Sequence, residues 1–318
     1  MSYRITVDTG GTFTDMVVAE DSGRQVIGKA PTTPERIFNG MQDALQAAAG
    51  ELGVTPDHLL GETSVLIYGT TRATNAIVQG KVAKTAFLTT EGFPDTLVLK
   101  EGGKHGPHDF TQEYPDPYIP QKYTFEIPER INSEGGVHTP LDVDATRDII
   151  SRLKAHNFEA VAVCLLWSII NPIHEQAVGE MITEMLPGVP FTLSHELVPI
   201  IREYRRASAT AIDASLKPLM QEHLRQMESD LRGAGYQGEI LVSTAVGGCM
   251  HVEELAERPI HTVKSGPAMA PVAGLNYARI ENFGSDVIIC DTGGTTFDVG
   301  LVRDGEIKFT RDTWIGPQ

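Results

Sequence analysis

Two stretches far apart in the 318-residue chain decide the fold: VDTGGTFTDMVV at Val7–Val18 and CDTGGTTFDVGLV at Cys290–Val302. Each reads as an apolar strand ending in aspartate, a Thr-Gly-Gly-Thr turn, and a second strand with alternating apolar residues. Paired glycines allow a turn whose consecutive amide groups face an anion with no Cβ in the way. A single copy is typical of a plain hairpin, but two copies predict a repeated phosphate-binding device. Asp8 and Asp291 would hold Mg²⁺ through water, because hard oxygen ligands suit that ion.

Between the two stretches, strand and helix patterns alternate and predict an α/β protein. Strands occupy most of the first thirty residues, and Thr33 is the expected cap of the helix that follows. A buried strand is predicted at Ala160–Leu166, and two helices are predicted at Ile200–Ala214 and Leu219–Arg232. The stretch Glu101–Pro120 has no periodicity and is long enough to suggest a functional loop.

Composition restricts the function classes. With 26 Lys and Arg against 42 Asp and Glu, the net charge of −16 argues against a nucleic-acid partner. Any bound phosphate must therefore meet backbone amides and a divalent cation. The near-continuous apolar run Ala160–Ile170 is too short for a bilayer span, and no leader pattern opens the chain, so no membrane partner and a cytoplasmic location are expected. Cys164, Cys249 and Cys290 lie far apart and predict buried thiols in a reducing compartment.

The paired strand–turn–strand motifs resemble the phosphate-1 and phosphate-2 elements of the actin, Hsp70 and sugar-kinase superfamily. Within it, DTGGTFTD at Asp8–Asp15 is similar to the opening of the A-type members of the hydantoinase/oxoprolinase family. Further stretches resemble that family across nearly the whole chain: YGTTRATNAIVQGK (68–81), LTTEGFPDTL (88–97), FEIPERI (125–131), LVPIIREYRRASATAIDA (197–214) and VKSGPAMAPVAG (263–274).

The resemblance implies actin-like ATPase lobes of the ribonuclease H-like type, with mixed sheets and helices and a second lobe incomplete in this chain. It places a first lobe, with the phosphate-1 loop and an inserted α/β substrate region, at residues 1–285. The start of the second lobe, with the phosphate-2 loop, falls at residues 286–318. The rest of that lobe is expected on another chain, a cleaved remainder or a separate subunit.

The same resemblance implies roles for individual residues. Those expected to bind ATP are Thr9, Gly10, Gly11, Thr12, Ser265, Gly266, Thr292, Gly293, Gly294, Thr295 and Thr296. Those expected to contact substrate are Thr70, Thr71 and Asn75. Catalytic candidates are Asp8, Asp15, Asp291, Asp298 and Arg72. Asp15 and Asp298 could orient water or metal, or could cap their own hairpins. Arg72 could neutralise an anion, or could start a helix and pair with surface carboxylates.

Two enzyme classes and one non-enzymatic class stay open. The wording TTFDVGLVRDGEI (295–307) and PYIPQKYTFEIPERI (117–131) looks more like the acetone and acetophenone carboxylase branch, which forms C–C bonds with bicarbonate and ATP. The alternative is a hydantoinase, 5-oxoprolinase or lactamase subunit that hydrolyses a cyclic amide. Either would work with a hydantoinase B-type subunit in a hetero-oligomer. An actin-like nucleotide switch is less favoured, because GTTRATNA (69–76) resembles part of a substrate site.

A transition-metal site is a further possibility. His105, His108 and Asp109 have a spacing compatible with Zn²⁺ or Mn²⁺, and His138 could add a ligand. Solvated loop histidines are the alternative interpretation.

Overall fold

Strands and helices alternate along the computed structural model, which describes residues 2–33, 36–101, 111, 116–292 and 297–308. The strands are β1 (Tyr3–Thr9), β2 (Phe13–Glu20), β3 (Gln25–Pro31), β4 (Thr63–Thr70), β5 (Thr85–Thr90), β6 (Thr124–Ile127), β7 (Arg130–Ile131), β8 (Val137–Thr139), β9 (Ala160–Cys164), β10 (Phe191–Leu193), β11 (Glu239–Ser243), β12 (Cys249–His251), β13 (Val287–Thr292), β14 (Phe297–Arg303) and β15 (Glu306–Ile307). The helices are α1 (Ile37–Leu52), α2 (Pro56–Gly61), α3 (Arg72–Val78), α4 (Thr96–Leu99), α5 (Val143–Ala155), α6 (Ile173–Met185), α7 (Ser194–Leu197), α8 (Glu203–Gly233), α9 (Val252–Glu257) and α10 (Ser265–Glu281).

The chain divides into two compact units. The described residues of 1–76 and 220–313 form unit 1, and those of 77–219 form unit 2. Unit 2 is an insertion within the sequence of unit 1. The expected lobe boundary between residues 285 and 286 concerns ATPase lobes and stays a prediction.

Unit 1 contains a six-stranded mixed sheet in the order β12-β11-β4-β1-β2-β3. β1 pairs antiparallel with β2 and parallel with β4, so the carboxyl ends of β1 and β4 meet at one edge. Alternate residues of β1, among them Ile5 and Val7, are fully buried, as the alternating sequence predicts. A Cβ on Gly28 would lie 2.0 Å from the Ala44 carbonyl oxygen, so glycine there lets α1 approach β3 closely.

A second sheet of unit 1, β13-β14-β15, is antiparallel and packs against α10. Two glycines make the contact close. A Cβ on Gly274 of α10 would lie 2.4 Å from the Ile289 side chain, and a Cβ on Gly300 would lie 2.7 Å from Pro271. These contacts fix the second glycine hairpin relative to α10, which also packs on β4 and β11.

Unit 2 is built on a parallel sheet in the order β10-β9-β5-β6. Every residue of β5 and β9 is buried, as in a sheet covered on both faces. Ala86, Leu88 and Val163 belong to one hydrophobic cluster with α5 and α6. Phe87 and Ala162 belong to a second cluster, with the first half of α8.

The two helices predicted at Ile200–Ala214 and Leu219–Arg232 are wrong as separate elements: they are one helix, α8, with Pro218 inside it. Proline removes one backbone hydrogen bond and costs about 3 kcal/mol in a helix interior. Leu216 and Met220 on either side of it are fully buried, so their packing stabilises the helix enough for it to continue past the proline.

Two further local predictions are wrong. Thr33 does not cap α1; the N-cap is Arg36, which has an extended backbone and no side-chain capping bond. The Arg36 guanidinium instead pairs with Asp230 at 2.7 Å. Of the three cysteines, all free, Cys164 is buried as predicted, whereas Cys249 and Cys290 are exposed. Within the described ranges, no helix is long and apolar enough to cross a membrane.

Candidate functional site

The two repeated stretches form hairpins with the same register. Asp8 lies opposite Asp15 in the β1–β2 pair, and Asp291 lies opposite Asp298 in the β13–β14 pair. In each hairpin one further residue pair separates these aspartates from the glycine turn. The sequence repeat is therefore also a structural repeat within unit 1.

The first glycine turn is tied down through its carbonyl oxygens. The Gly10 amide donates to the Phe13 carbonyl at 3.0 Å, while the Thr32 hydroxyl donates to the Gly10 carbonyl at 3.0 Å. The Thr32 amide donates to the Thr12 carbonyl at 2.9 Å. The amides of Gly11 and Thr12, both exposed, meet no acceptor among the described residues. A Cβ on Gly11 would meet no described atom within 4 Å, so the turn offers free donors and space for an anion.

The second glycine turn is only partly described. Thr292 is the exposed last residue of β13. The other residues predicted for this turn, Gly293, Gly294, Thr295 and Thr296, lie outside the described residues.

Carboxylates from both hairpins act on each other at the carboxyl end of β1. Partial desolvation raises the pKa of the Asp8 carboxyl, although its side chain reaches solvent, and the negative charges of Asp15 and Asp291 raise it further. Asp291 of the second hairpin is therefore near Asp8 of the first. Gly69 of β4 lies beneath this carboxylate, because a Cβ there would lie 3.0 Å from Asp8 Oδ1. Such a concentration of negative charge favours a bound cation.

The donor set fits Mg²⁺ held through water better than a chelated metal. In the part of the chain that is described, no group of three or more His, Cys, Asp and Glu side chains could hold a metal ion. Mg²⁺ commonly keeps several waters and uses one or two carboxylates together with phosphate oxygens. Asp8 and Asp291, in the same unit as the free amides of Gly11 and Thr12, match that pattern.

Asp15 is engaged by a neighbouring strand. Lys29 of β3, directly opposite Asp15, donates to its Oδ1 at 2.6 Å, and both side chains are about half exposed. The hydrogen bond to Asp15 thus comes from a side chain and not from the backbone of its own hairpin. Asp298 holds the matching position in the second hairpin.

The segment between β4 and α3 holds the predicted substrate residues. Thr70 is buried, and its hydroxyl accepts from the Arg72 amide at 3.2 Å. One helical turn apart, the Asn75 side-chain amide donates to the Thr71 hydroxyl at 3.2 Å. The structure thus brings the three predicted substrate residues together at the start of α3.

Arg72 lies beside a buried pair that sequence reasoning missed. The Tyr68 hydroxyl and His223 Nε2 are 2.9 Å apart. Burial, together with the positive charge of Arg72, lowers the pKa of His223 to about 4, so the imidazole is neutral at neutral pH and shares a hydrogen bond with the Tyr68 hydroxyl. A lone histidine on a long amphipathic helix gave no signal of this contact.

One donor of the Arg72 guanidinium is unsatisfied within the part of the chain that is described. Its Nε is buried and has no hydrogen-bond partner among the described residues, and no carboxylate in those ranges pairs with it. The alternative in which Arg72 pairs with surface carboxylates is therefore not what the described residues show.

The start of α10 adds another group of donors. Lys264 precedes the helix with a left-handed backbone (φ 60°), and its amide donates to the Thr74 hydroxyl of α3 at 3.0 Å. No side chain caps the helix. Ser265 is 1% exposed, and its hydroxyl has no partner among the described residues, while Gly266 is exposed. Free amides at a helix N-terminus favour an anion.

Little of the predicted transition-metal site falls within the described residues. His138 is exposed on β8 of the two-stranded β7–β8 ribbon. His105, His108 and Asp109 lie outside the described residues.

Two family models match the chain. The hydantoinase/oxoprolinase N-terminal region matches residues 4–186, and the hydantoinase/oxoprolinase model matches residues 206–316.

The chain is also similar to individual proteins. It is 35% identical to the alpha subunit of caprolactamase from Pseudomonas jessenii, over 98% of this chain and 45% of the relative. It is 32% identical to the gamma subunit of acetophenone carboxylase from Aromatoleum aromaticum, over 96% of this chain and 43% of the relative. The chain thus spans less than half the length of these relatives.

Solved structures confirm the predicted α/β fold class with actin-like ATPase lobes. The nucleotide-free structure of acetone carboxylase has a TM-score of 0.85 at 25% identity, covering 96% of this chain and 44% of that one. The ATP-dependent caprolactamase of Pseudomonas jessenii has a TM-score of 0.83 at 35% identity, covering 94% of this chain and 43% of that one.

Proposed function

Because the chain belongs to the hydantoinase/oxoprolinase family, we propose that unit 1 binds Mg²⁺-ATP and that the whole protein is an enzyme using it to phosphorylate a carbonyl oxygen. The observation that carries this proposal is the convergence of Asp8 and Asp291, from two hairpins of equal sequence and register, on one electrostatic cluster. Burial and the neighbouring negative charges raise the pKa of Asp8, and a bound cation would relieve this repulsion.

The proposed roles follow from the contacts. Gly11 and Thr12 present amides to the phosphates, while Gly10 shapes the turn through its bonds to Phe13 and Thr32. Asp8 and Asp291 orient the water shell of Mg²⁺, which supplies charge neutralisation to the phosphates when bound. Thr9, Ser265, Gly266 and Thr292 complete the nucleotide contacts, with Gly293, Gly294, Thr295 and Thr296 assigned from the sequence alone. Asp15 and Asp298 orient water at the two turns.

Arg72 would stabilise negative charge next to the reacting carbonyl. Its buried Nε lacks an acceptor among the described residues, and a charge-assisted hydrogen bond to a developing oxyanion would satisfy it. Thr70, Thr71 and Asn75, gathered at the start of α3, would position the carbonyl compound. Phosphoryl transfer needs little else from the protein than positioning and electrostatic stabilisation.

Two reactions are compatible with this shared step. In ketone carboxylation, phosphorylation traps the enolate as an enol phosphate while bicarbonate becomes carboxy-phosphate. This reaction is supported by the likeness to acetone carboxylase and by the 32% identity to one chain of acetophenone carboxylase. In cyclic amide hydrolysis, phosphorylation makes the amide carbon electrophilic enough for water. The 35% identity to one chain of caprolactamase supports that one.

We also propose that further polypeptide, such as the rest of the second ATPase lobe and a hydantoinase B-type subunit, works together with unit 1. The second sheet and α10 carry large exposed apolar side chains, among them Ile288, Phe297, Val299 and Ile280. Exposed apolar groups that cluster on one sheet and its helix are typical of an interaction surface.

The test is ATP turnover by the complete complex with a panel of substrates. Stimulation by a small ketone only when bicarbonate is present selects carboxylation, and stimulation by a cyclic amide without bicarbonate selects hydrolysis. Asp291→Asn should abolish turnover with either substrate, whereas Asp43→Asn, an exposed site in α1 of the same unit, should not. Full turnover by Asp291→Asn would refute the assignment of the site.

A further inference from the structure

Unit 2 contains a cavity of about 380 Å³ at the carboxyl edge of its parallel sheet. After β5 the chain continues to β6 on one side, and after β9 it continues to β10 on the other side. The connections that follow β5 and β9 therefore run to opposite sides of the sheet. Open α/β sheets bind their ligands in the crevice that forms between two such strands. The cavity walls come from residues 92–100 after β5 and from Leu166 and Trp167 after β9, with Arg130, Glu203 and Tyr204 completing them.

Two cationic side chains line the cavity, and neither pairs with a carboxylate among the described residues. The Nζ of Lys100 is buried and has no acceptor among the described residues. The Arg130 guanidinium lies 4.8 Å from the ring centroid of Phe93, with no carboxylate paired to it in those ranges. Asp95, which accepts from a glutamine side chain, and Glu203 balance these two cations, so a polyphosphate would meet repulsion.

Apolar side chains form the rest of the wall. Phe93 and Leu99 are 42% and 51% exposed, which is high for residues of their size, and Leu166 and Trp167 line the same cavity. A cavity with apolar walls and a few convergent polar groups is the usual form of a small-molecule site.

The floor beneath the cavity is held by buried polar groups. The Leu166 amide donates to the Thr90 hydroxyl at 3.0 Å, and that hydroxyl donates to Glu129. The preceding residue, Leu165, donates its amide to Glu175 at 2.9 Å and accepts from Arg206 at 2.7 Å. Burying charged groups costs stability unless each is paired. Here they fix one short loop, which is how ligand-binding segments are made rigid.

Two lining residues also have strained backbones. Lys100 has φ 55° and ψ −150°, a region that is almost restricted to glycine, and Trp167 has φ 60°. Such conformations cost about 1–3 kcal/mol each and are concentrated at ligand sites. Neither residue is glycine, the residue that would adopt a left-handed backbone at the least cost.

We propose that this cavity binds a small monocarboxylate with an apolar body, whose carboxylate is held by Lys100 and Arg130. The apolar body lies against Phe93 and Trp167. The site uses none of the residues assigned to ATP. Ketone carboxylation would generate such a carboxylate, so its product would suit the site; that link rests on the proposed function, whereas the binding itself does not.

The test is calorimetric titration of the whole protein, without nucleotide, with benzoate, its neutral isostere benzamide, and inorganic phosphate. Benzoate should bind saturably and at least about tenfold more tightly than benzamide, because only benzoate can form charge-assisted hydrogen bonds through a carboxylate. Lys100→Gln and Arg130→Gln should each weaken benzoate binding about tenfold. The matched controls are Lys154→Gln and Arg152→Gln on the exposed face of α5, which should leave it unchanged.

Equal affinity for benzoate and benzamide, tighter binding of phosphate, or unchanged binding in both cavity variants would overturn the proposal. The benzoate–benzamide comparison needs no variant, so it stays decisive if a substitution prevents folding. Because no nucleotide is present, failure here is separate from failure of ATP turnover.

Discussion

Replacing His223 should change how the stability of the protein depends on pH. Its ring is buried against Tyr68, and its pKa in the folded chain is about 4, against about 6.5 in an unfolded chain. Near neutral pH the ring is uncharged in both states and contributes nothing to this dependence. As the pH falls below about 6.5, the unfolded chain takes up a proton that the folded chain refuses until about pH 4.

The magnitude follows from the difference between the two pKa values. Each unit is worth about 1.4 kcal/mol, so roughly 3 kcal/mol of unfolding free energy is lost between about pH 6.5 and 4. Because the histidine pKa is lower in the folded chain than in the unfolded chain, acidification lowers the free energy of unfolding. The contribution is fully present above the unfolded pKa. His223→Gln removes the titration and keeps a side chain that can hydrogen-bond with the Tyr68 hydroxyl.

The measurement is the free energy of unfolding in urea between about pH 7.5 and 4.5. The His223→Gln variant should lose roughly 2.5 kcal/mol less than the unmodified protein over that range, which ends half a unit above the folded pKa. His58→Gln, at an exposed position in α2, is the control and should follow the unmodified protein. Parallel profiles for His223→Gln and the unmodified protein would refute the assignment of a buried, neutral imidazole.

Three other predictions address the hairpins. Asp8→Asn should raise the melting temperature of the ligand-free protein, because it removes a desolvated charge among other carboxylates. In the same thermal assay it should abolish stabilisation by Mg²⁺-ATP. A lower melting temperature would contradict this. Gly11→Ala should leave the melting temperature unchanged, since its Cβ meets no described atom within 4 Å. It should weaken ATP binding about tenfold, whereas the control Gly50→Ala in α1 should not. Equal ATP affinities of the two variants would count against the phosphate role. Gly274→Ala should destabilise the protein by about 1–3 kcal/mol in urea titrations, because its Cβ would lie 2.4 Å from the Ile289 side chain; a neutral result would show that α10 is not held closely against β13.

Strand positions were well predicted from the sequence because their signals are local. The alternation in Val7–Val18 and the apolar run in Ala160–Leu166 each specify a strand through side chains that the strand itself carries. The identical spacing of Asp8 to Asp15 and of Asp291 to Asp298 was enough to predict two like hairpins, which share their register.

Features that depend on distant contacts were not predictable in the same way. Pro218 is a strong local stop signal, yet α8 continues through it because residues on both sides are buried by other elements. Thr33 has the chemistry of a cap, but α1 begins after Arg36. The apolar surroundings of Cys290 in sequence suggested burial, whereas one face of the β13–β15 sheet is exposed in unit 1.

The electrostatics of Asp8 connect the repeat to function. A carboxylate in a plain hairpin turn has no reason to be placed near the carboxylates of a second hairpin some 280 residues later in the chain. Each like charge raises the free energy of the ionised form, and a fold that only needed two turns would separate them. Here α10 is packed against the second hairpin through Gly274 and is anchored at its start to α3 through the Lys264 amide and the Thr74 hydroxyl, which hold the two carboxylates in one unit. Packing that keeps two carboxylates together despite their repulsion is typical of a site for a divalent cation and phosphate. The bound cation then supplies the positive charge that offsets the two carboxylates. The ligand-free protein should therefore be less stable than Asp8→Asn, and Mg²⁺-ATP should reverse that order.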